Sequence, residues 1–108
     1  GIDLLRPVCE ASTPQQGGKW CHELAEAYSA NKNYGLMGAA HHRACQLGPE
    51  TWETKDGKMA NDCTVATFWL EQLQQVCIAK SRGNVSVRDG DPCEERRIMV
   101  EAIKKSDK

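Results

Sequence analysis

The sequence predicts an all-α fold, in which four to five short helices form a compact, disulfide-stapled bundle built on antiparallel helical hairpins. Apolar residues recur at helical spacing in several segments. Six cysteines, an even number, are spread over 108 residues, as is typical of structural disulfides in small exported domains. The only β-like run, residues 84–88, is short and hydrophilic, so no convincing strand is expected.

Composition limits the number of domains and the classes of partner. The length suits one disulfide-rich helical domain, residues 1–108, with a single modest core. Fourteen basic and fifteen acidic side chains give a net charge of -1, which provides no field for nucleic acid or an anionic membrane. The longest apolar run falls far short of the roughly 20 residues of a membrane span. We therefore expect a soluble protein without a nucleic acid partner or a membrane span.

The cysteines indicate the compartment. No Cys-x-x-Cys pair occurs, which argues against zinc-knuckle and thioredoxin-like sites. Paired cysteines instead predict a secreted or periplasmic protein, because disulfides persist in oxidising compartments. A chain that starts at Gly1 rather than Met fits either the removal of a leader or an artificially trimmed sequence. Asn84-Val85-Ser86 matches the glycosylation sequon of eukaryotic secreted proteins.

A first short helix is expected within residues 1–10. Its apolar residues suit docking on a core, Asp3 is a suitable cap, and Pro7 would lie in the first turns. Residues 11–18 form a polar connection punctuated by proline and glycine.

Residues 20–48 predict a helical hairpin. Its first arm has an apolar stripe of Trp20, Leu24, Ala27 and Tyr28, and its second has one of Leu36, Met37, Ala40, Ala44 and Leu47. The turn is expected near Asn33, and Gly48-Pro49 ends the second arm. Cys21 lies twelve residues before Asn33 and Cys45 twelve after it. Antiparallel arms therefore predict a Cys21–Cys45 disulfide.

Residues 49–60 predict a loop with room for one helical turn. An isolated Trp52 lies among polar neighbours there, either as a functional contact or tucked over the hairpin. The strongest helix follows, from a cap at Asn61 or Asp62 to Gly83. Its apolar face is wide enough for contacts on two sides, and Phe68 falls at the exposed edge of that face.

The last helix begins at Asp91-Pro92, with aspartate as the cap and proline at the first helical position, and runs to about Lys105. Cys77 and Cys93 flank the loop before it, which predicts a second disulfide. Elimination leaves Cys9 and Cys63 as the third pair.

CHELAEAY, residues 21–28, and AAHHRACQLG, residues 39–48, together resemble one unit of the Sel-like repeat proteins, relatives of the tetratricopeptide repeat. In cysteine-rich bacterial members of that family, a disulfide joins the two cysteines of the unit, here Cys21 and Cys45. The turn is shorter than in the family, and no second unit follows Gly48. The resemblance implies a secreted or periplasmic protein-binding module and brings no catalytic residues.

The histidines are the main candidates for chemistry. The hairpin brings His41 and His42 near His22, and Glu26 is available as a further ligand. Adjacent histidines point about 100° apart on a helix, so one partly buried and one solvated imidazole is the favoured interpretation. We predict no metal and no cofactor. No nucleophile elbow occurs and the even cysteine count leaves no thiolate, so no catalytic residue is predicted.

The sequence favours a non-enzymatic exported protein that binds another protein, one specific form being a periplasmic inhibitor or immunity protein. The predicted contact residues are Trp52, Glu53, Lys55, Asp56 and Phe68, because exposed aromatics beside flexible polar segments are favoured anchors. Two alternatives remain open. One is a helical carrier of a small hydrophobic ligand, and the other is a small secreted hydrolase or toxin that uses a histidine.

Overall fold

The computed structural model describes residues 2–83 and 91–106, which form five helices and one small sheet. The elements are α1 (Ile2–Ala11), α2 (Lys19–Ala30), α3 (Tyr34–Leu47), β1 (Thr51–Glu53), β2 (Met59–Asn61), α4 (Asp62–Ser81) and α5 (Pro92–Ser106). The predicted disulfide-stapled helical bundle is confirmed. The β-like run at residues 84–88 and the Asn84 sequon lie outside the described residues.

The helical hairpin of α2 and α3 is also confirmed. A short turn joins the two helices, and its Lys32 adopts a left-handed backbone with φ of 60°. The outer ends of the helices meet where the Gly18 N–H donates a hydrogen bond of 2.8 Å to the Gly48 carbonyl. Gly48 ends α3 with φ of 136°, a conformation that glycine adopts without steric cost.

Helix α3 packs against three other helices, α2, α4 and α5. Small residues make this possible, because they let backbones approach closely. A Cβ added to Gly35 would lie 2.3 Å from the Glu95 carbonyl oxygen of α5, and one added to Gly38 would lie 2.6 Å from the Met99 sulfur. The main core is an apolar cluster centred on the hairpin. Its buried members are Cys9, Cys21, Leu24, Ala25, Tyr28, Met37, Ala40, Ala44 and Leu47.

The predicted Cys21–Cys45 disulfide is wrong. Cys21 bonds to Cys9 and joins α2 to α1, whereas Cys45 bonds to Cys63 and joins α3 to the first turn of α4. Helix α1 packs on α2 and helix α4 packs on α3, so each cysteine finds its partner on a neighbouring helix outside the hairpin. The Cys9–Cys63 pairing, which followed by elimination, is wrong for the same reason.

The predicted Cys77–Cys93 disulfide is confirmed and joins α4 to α5. Helix α5 starts as its sequence predicts, since the Cys93 N–H donates to the Asp91 carboxylate at 3.0 Å. All six cysteines are therefore paired.

The prediction of a loop over residues 49–60 is also wrong, because β1 and β2 form an antiparallel hairpin there. Trp52 is paired with Ala60 across the two strands. The turn closes where the Thr54 N–H donates to the Lys58 carbonyl at 2.8 Å, and Gly57 within it has φ of 78°. The strands are three residues long, too short for alternating polarity to be recognised in the sequence.

Replacement of Gly35 by alanine should test the contact between α3 and α5. Alanine normally stabilises a helix by about 1 kcal/mol relative to glycine. Here the added Cβ would meet a backbone carbonyl that cannot rotate away, so we expect a loss of about 2 kcal/mol in the free energy of unfolding, measured by urea denaturation. Ser29→Ala, on the exposed face of α2, should change that free energy by less than about 0.5 kcal/mol. A stabilised Gly35→Ala variant would contradict the close approach.

Candidate functional site

A groove opens between α1, α2, α3 and α5 and has a volume of about 570 Å³, within the range of small-molecule sites. We call it the interhelical groove. Its apolar lining consists of Cys9, Leu24, Tyr28, Leu36, Ala39, Ala40 and Ala102, and its polar lining consists of Arg6, Glu10, Arg43, Lys105 and Ser106. It therefore combines an apolar surface with an excess of cations.

Helical periodicity explains why the lining residues of each helix lie on the same side of that helix, facing the groove. Leu24 and Tyr28 are one turn apart on α2, and Leu36, Ala40 and Arg43 follow each other at helical spacing on α3. Helices α1 and α5 pack on the outer sides of this pair. Alanines at positions 39, 40 and 102 leave space where larger side chains would have closed the gap between the helices.

Electrostatics make the groove suitable for an anion. Three cationic side chains and one carboxylate line it. The Arg6 Nε donates a hydrogen bond of 3.2 Å to the Tyr28 hydroxyl, and this bond raises the pKa of Arg6 above its ordinary value. The guanidinium is thus charged at any working pH and is held against the apolar surface. A ligand with an apolar body and an anionic head matches this arrangement.

A second polar feature lies outside this lining, where α2, α3 and the start of α4 meet. His22, His41 and Asp62 form what we call the histidine–aspartate cluster. The Asp62 Oδ1 lies 2.9 Å from the His22 Nδ1 and 2.6 Å from the His41 Nδ1. Its Oδ2 accepts a hydrogen bond of 2.8 Å from the Glu50 N–H. Asp62 is fully buried and His41 nearly so, so this carboxylate is satisfied entirely by protein groups.

The contacts of His22 define its charge. Its Nδ1 faces the Asp62 carboxylate, and its Nε2 lies 3.0 Å from the Glu26 carboxylate. Two acceptors require a proton on both ring nitrogens, which is the imidazolium form. Burial opposes this charge, but the hydrogen bond and charge of Asp62, followed by the charges of Glu26 and Glu23, outweigh burial and raise the pKa of His22.

The pKa of Asp62 is shifted in the opposite direction to that of His22. Burial alone would raise its pKa, but hydrogen bonds from His41, His22 and the Glu50 N–H outweigh burial and lower it. Asp62 is also the first residue of α4, where the helix dipole favours a negative charge. A buried ion pair therefore ties the start of α4 to the α2–α3 hairpin.

The predicted contact residues fall in two separate places. Trp52 is half-buried, and its ring centroid lies 4.7 Å from that of His22 and 5.9 Å from that of His41. It therefore covers the histidine–aspartate cluster. Glu53, Lys55 and Asp56 are exposed around the β-turn. Phe68 is 55% exposed on α4, as its position at the edge of the apolar face predicts.

Sequence reasoning missed Asp62 and the cations of the groove. The Asn61-Asp62 pair offers two possible caps, and the structure uses Asn61, whose side chain accepts from the Thr64 N–H at 2.9 Å. This leaves Asp62 available to the histidines, and no local pattern in the sequence indicates that choice. Arg6, Arg43 and Lys105 come from three different helices, so only the packing of those helices brings them together.

The chain matches no protein-family model, no curated protein and no solved structure in the comparisons made. The resemblance to Sel-like repeats stays a prediction. In the described part of the chain, no helix combines the length and apolar character needed to cross a bilayer. A functional assignment therefore depends on the geometry of the groove, the cluster and the exposed aromatic residues.

The cluster should give the protein a stability optimum in mildly acidic solution, measured by urea unfolding in EDTA from pH 2 to 9. The lowered pKa of Asp62 contributes stability that is present above its unfolded value of about 3.9 and lost as the pH falls. The raised pKa of His22 contributes stability that is present below about 6.5 and lost as the pH rises through the folded value. The optimum should therefore lie between about pH 4 and 6.5.

Asp62→Ala should lower the free energy of unfolding by about 3 kcal/mol at pH 6, because it removes the carboxylate that both imidazoles and the Glu50 N–H contact. Both limbs of the pH profile should also flatten in this variant. An unchanged profile would show that the cluster does not control the pH dependence.

Proposed function

We propose that this protein is an exported carrier of a small amphipathic carboxylate, bound in the interhelical groove. The observation that carries the proposal is the combination of an apolar surface with three cationic side chains in one concave site of about 570 Å³. An aliphatic chain ending in a carboxylate, as in a medium-chain fatty acid, has the matching distribution of apolar and charged groups.

Energetics suggest that both parts of the ligand are needed. Burial of one methylene contributes about 0.8 kcal/mol, so eight of them contribute about 6 kcal/mol. Association itself costs at least about 4 kcal/mol in lost translational and rotational freedom. The apolar body alone would therefore bind weakly, and contact between the carboxylate and Arg6, Arg43 or Lys105 would raise the affinity to a useful level.

Three disulfides support the export part of the proposal. All six cysteines are paired, and such pairing is stable in the extracellular space or the periplasm rather than in a reducing cytosol. Disulfides join α1 to α2 and α4 to α5, so helices that form or support the walls of the groove are covalently held. A rigid, preformed site lowers the ordering cost of ligand binding.

A titration of decanoate into the oxidised chain of residues 1–108 tests this function. Binding is followed by the NMR chemical shifts of the alanine methyl groups. We expect saturable binding and shifts at positions 39, 40 and 102. The double variant Arg43→Gln/Lys105→Gln should weaken binding about tenfold, since two exposed charge pairs contribute about 1.4 kcal/mol together. Lys104→Gln is the matched control, because Lys104 neighbours Lys105 on α5 without lining the groove.

Two further comparisons distinguish the contribution of the aliphatic chain to binding from that of the carboxylate. Decanol has the same aliphatic body without charge, so it should bind more weakly and respond little to the double variant. Ala39→Phe should block both ligands by filling the groove. Equal decanoate binding in wild type and Ala39→Phe would rule out this groove as the site.

A second candidate function is the binding of a partner protein at the outer face of α4. Phe68 is 55% exposed, and its ring meets Trp69 edge to face at 5.7 Å. Trp69 in turn stacks on Tyr34 with ring centroids 5.1 Å apart, so the ring that Phe68 contacts is itself held in place by a third. Supported aromatic side chains are favoured anchors in protein interfaces. An inhibitor or immunity protein would use such an anchor to fill a pocket of its target.

Affinity capture from the native source, with Phe68→Ala and Ile78→Ala compared, tests the second candidate. Both residues are partly exposed on α4, so the variants differ mainly in which part of the helix they alter. A partner retained by wild type and Ile78→Ala but lost by Phe68→Ala supports an aromatic anchor. A partner that both variants retain contradicts it.

A further inference from the structure

We propose that the histidine–aspartate cluster is a binding site for one zinc ion, independent of the carrier function. His22, His41 and Asp62 each offer one ligand atom, and the three atoms lie within 4.8 Å of one another. Two imidazole nitrogens and one carboxylate oxygen are a common protein ligand set for zinc, which leaves a fourth position for solvent. None of the three residues lines the interhelical groove.

The distances within the cluster are close to those of a metal site. Ligands held at about 2.0 to 2.1 Å from a tetrahedral ion lie roughly 3.3 Å from one another. The Asp62 Oδ1 is already 2.9 Å and 2.6 Å from the two Nδ1 atoms. To admit the ion, Oδ1 and each Nδ1 would move apart by less than about 1 Å. The two imidazole nitrogens, which lie within 4.8 Å of each other, would approach by up to about 1.5 Å. Zinc would take the place of the proton on each Nδ1, and each imidazole would bind as the neutral ring with its one remaining proton on Nε2.

Outer contacts orient the ligand atoms for this exchange. The His22 Nε2 faces Glu26 at 3.0 Å, so that nitrogen keeps its proton and Nδ1 is the one that binds the ion. Histidine ligands of metals usually donate their other N–H in this way, and a carboxylate partner makes the imidazole more basic. The Glu50 N–H occupies the Asp62 Oδ2 at 2.8 Å, which leaves Oδ1 for the metal.

The ligands also lie on rigidly held elements. His22 follows Cys21 and Asp62 precedes Cys63, and these cysteines form disulfides to α1 and α3 respectively. His41 is buried within α3. The Trp52 ring covers His22 and His41 and would limit access of water. A site held this firmly pays little ordering cost when it binds an ion.

The ligand set favours zinc over other common ions. Calcium and magnesium prefer oxygen ligands and higher coordination numbers, whereas this cluster supplies two nitrogens. The same ligand types also suit ferrous iron. Three disulfides indicate an oxidising compartment, where the redox-inert zinc ion persists and ferrous iron does not.

Isothermal titration of zinc chloride into the oxidised, EDTA-treated chain of residues 1–108 at pH 7.5 tests the site. We expect one ion per chain, release of protons on binding, and at least a thirtyfold loss of affinity in His41→Gln. His42→Gln is the matched control, since it removes the neighbouring histidine of α3 and should bind zinc as wild type does. No saturable binding by wild type, or equal binding by wild type and His41→Gln, would overturn the proposal.

A second measurement covers the case in which His41→Gln folds poorly. Long-range ¹H–¹⁵N NMR of the wild-type histidines resolves which nitrogen binds the ion. One equivalent of zinc should shift the Nδ1 resonances of His22 and His41 and leave those of His42 unchanged. Shifts at His42, or at only one of the two cluster histidines, would show that zinc binds elsewhere on the surface.

Discussion

Close packing around α3 is the constraint on which the rest of the fold depends. Gly35 and Gly38 let α5 approach so closely that no side chain fits between the two helices at these points. Helices α2 and α4 pack on the other sides of α3. Both candidate sites follow from this central position, because Ala40 and Arg43 line the interhelical groove while His41 belongs to the histidine–aspartate cluster. One helix thus serves two sites with different chemistry.

The two sites differ in whether their charged groups are paired within the protein. In the cluster, a fully buried carboxylate is compensated by two imidazoles and a backbone N–H, so charge stabilises the protein itself and depends on pH. In the groove, cations border an open apolar surface and outnumber the acidic residue. Charge that the protein does not compensate internally is available to an external anion. This difference is the reason that an anionic ligand is proposed for the groove. A cation is proposed for the cluster, because its two imidazole nitrogens and one carboxylate oxygen are metal-ligand atoms.

The disulfides connect neighbouring layers rather than the two arms of the hairpin. Cys9–Cys21 holds α1 on α2, Cys45–Cys63 holds α4 on α3, and Cys77–Cys93 holds α5 on α4. The hairpin itself needs no such link, because α2 and α3 share most of the buried apolar cluster. Covalent bonds are thus placed between helices that share less of that cluster. In the chain-entropy model each closure contributes about 3 kcal/mol, a large share of the stability of a small domain.

The sequence by itself determined the helices and indicated that the cysteines are paired, because helical spacing, helix caps and an even number of cysteines can be recognised without knowing the packing. The hairpin of α2 and α3, the capped starts of α4 and α5 and the exposure of Phe68 all followed from such patterns. The β-hairpin escaped detection because three-residue strands carry too little periodicity. Only the tertiary structure decided which face of each helix met which neighbour, since many apolar stripes can pair in more than one way. That choice set the disulfide partners of Cys21 and Cys45, brought Asp62 to the histidines and assembled the groove from four helices.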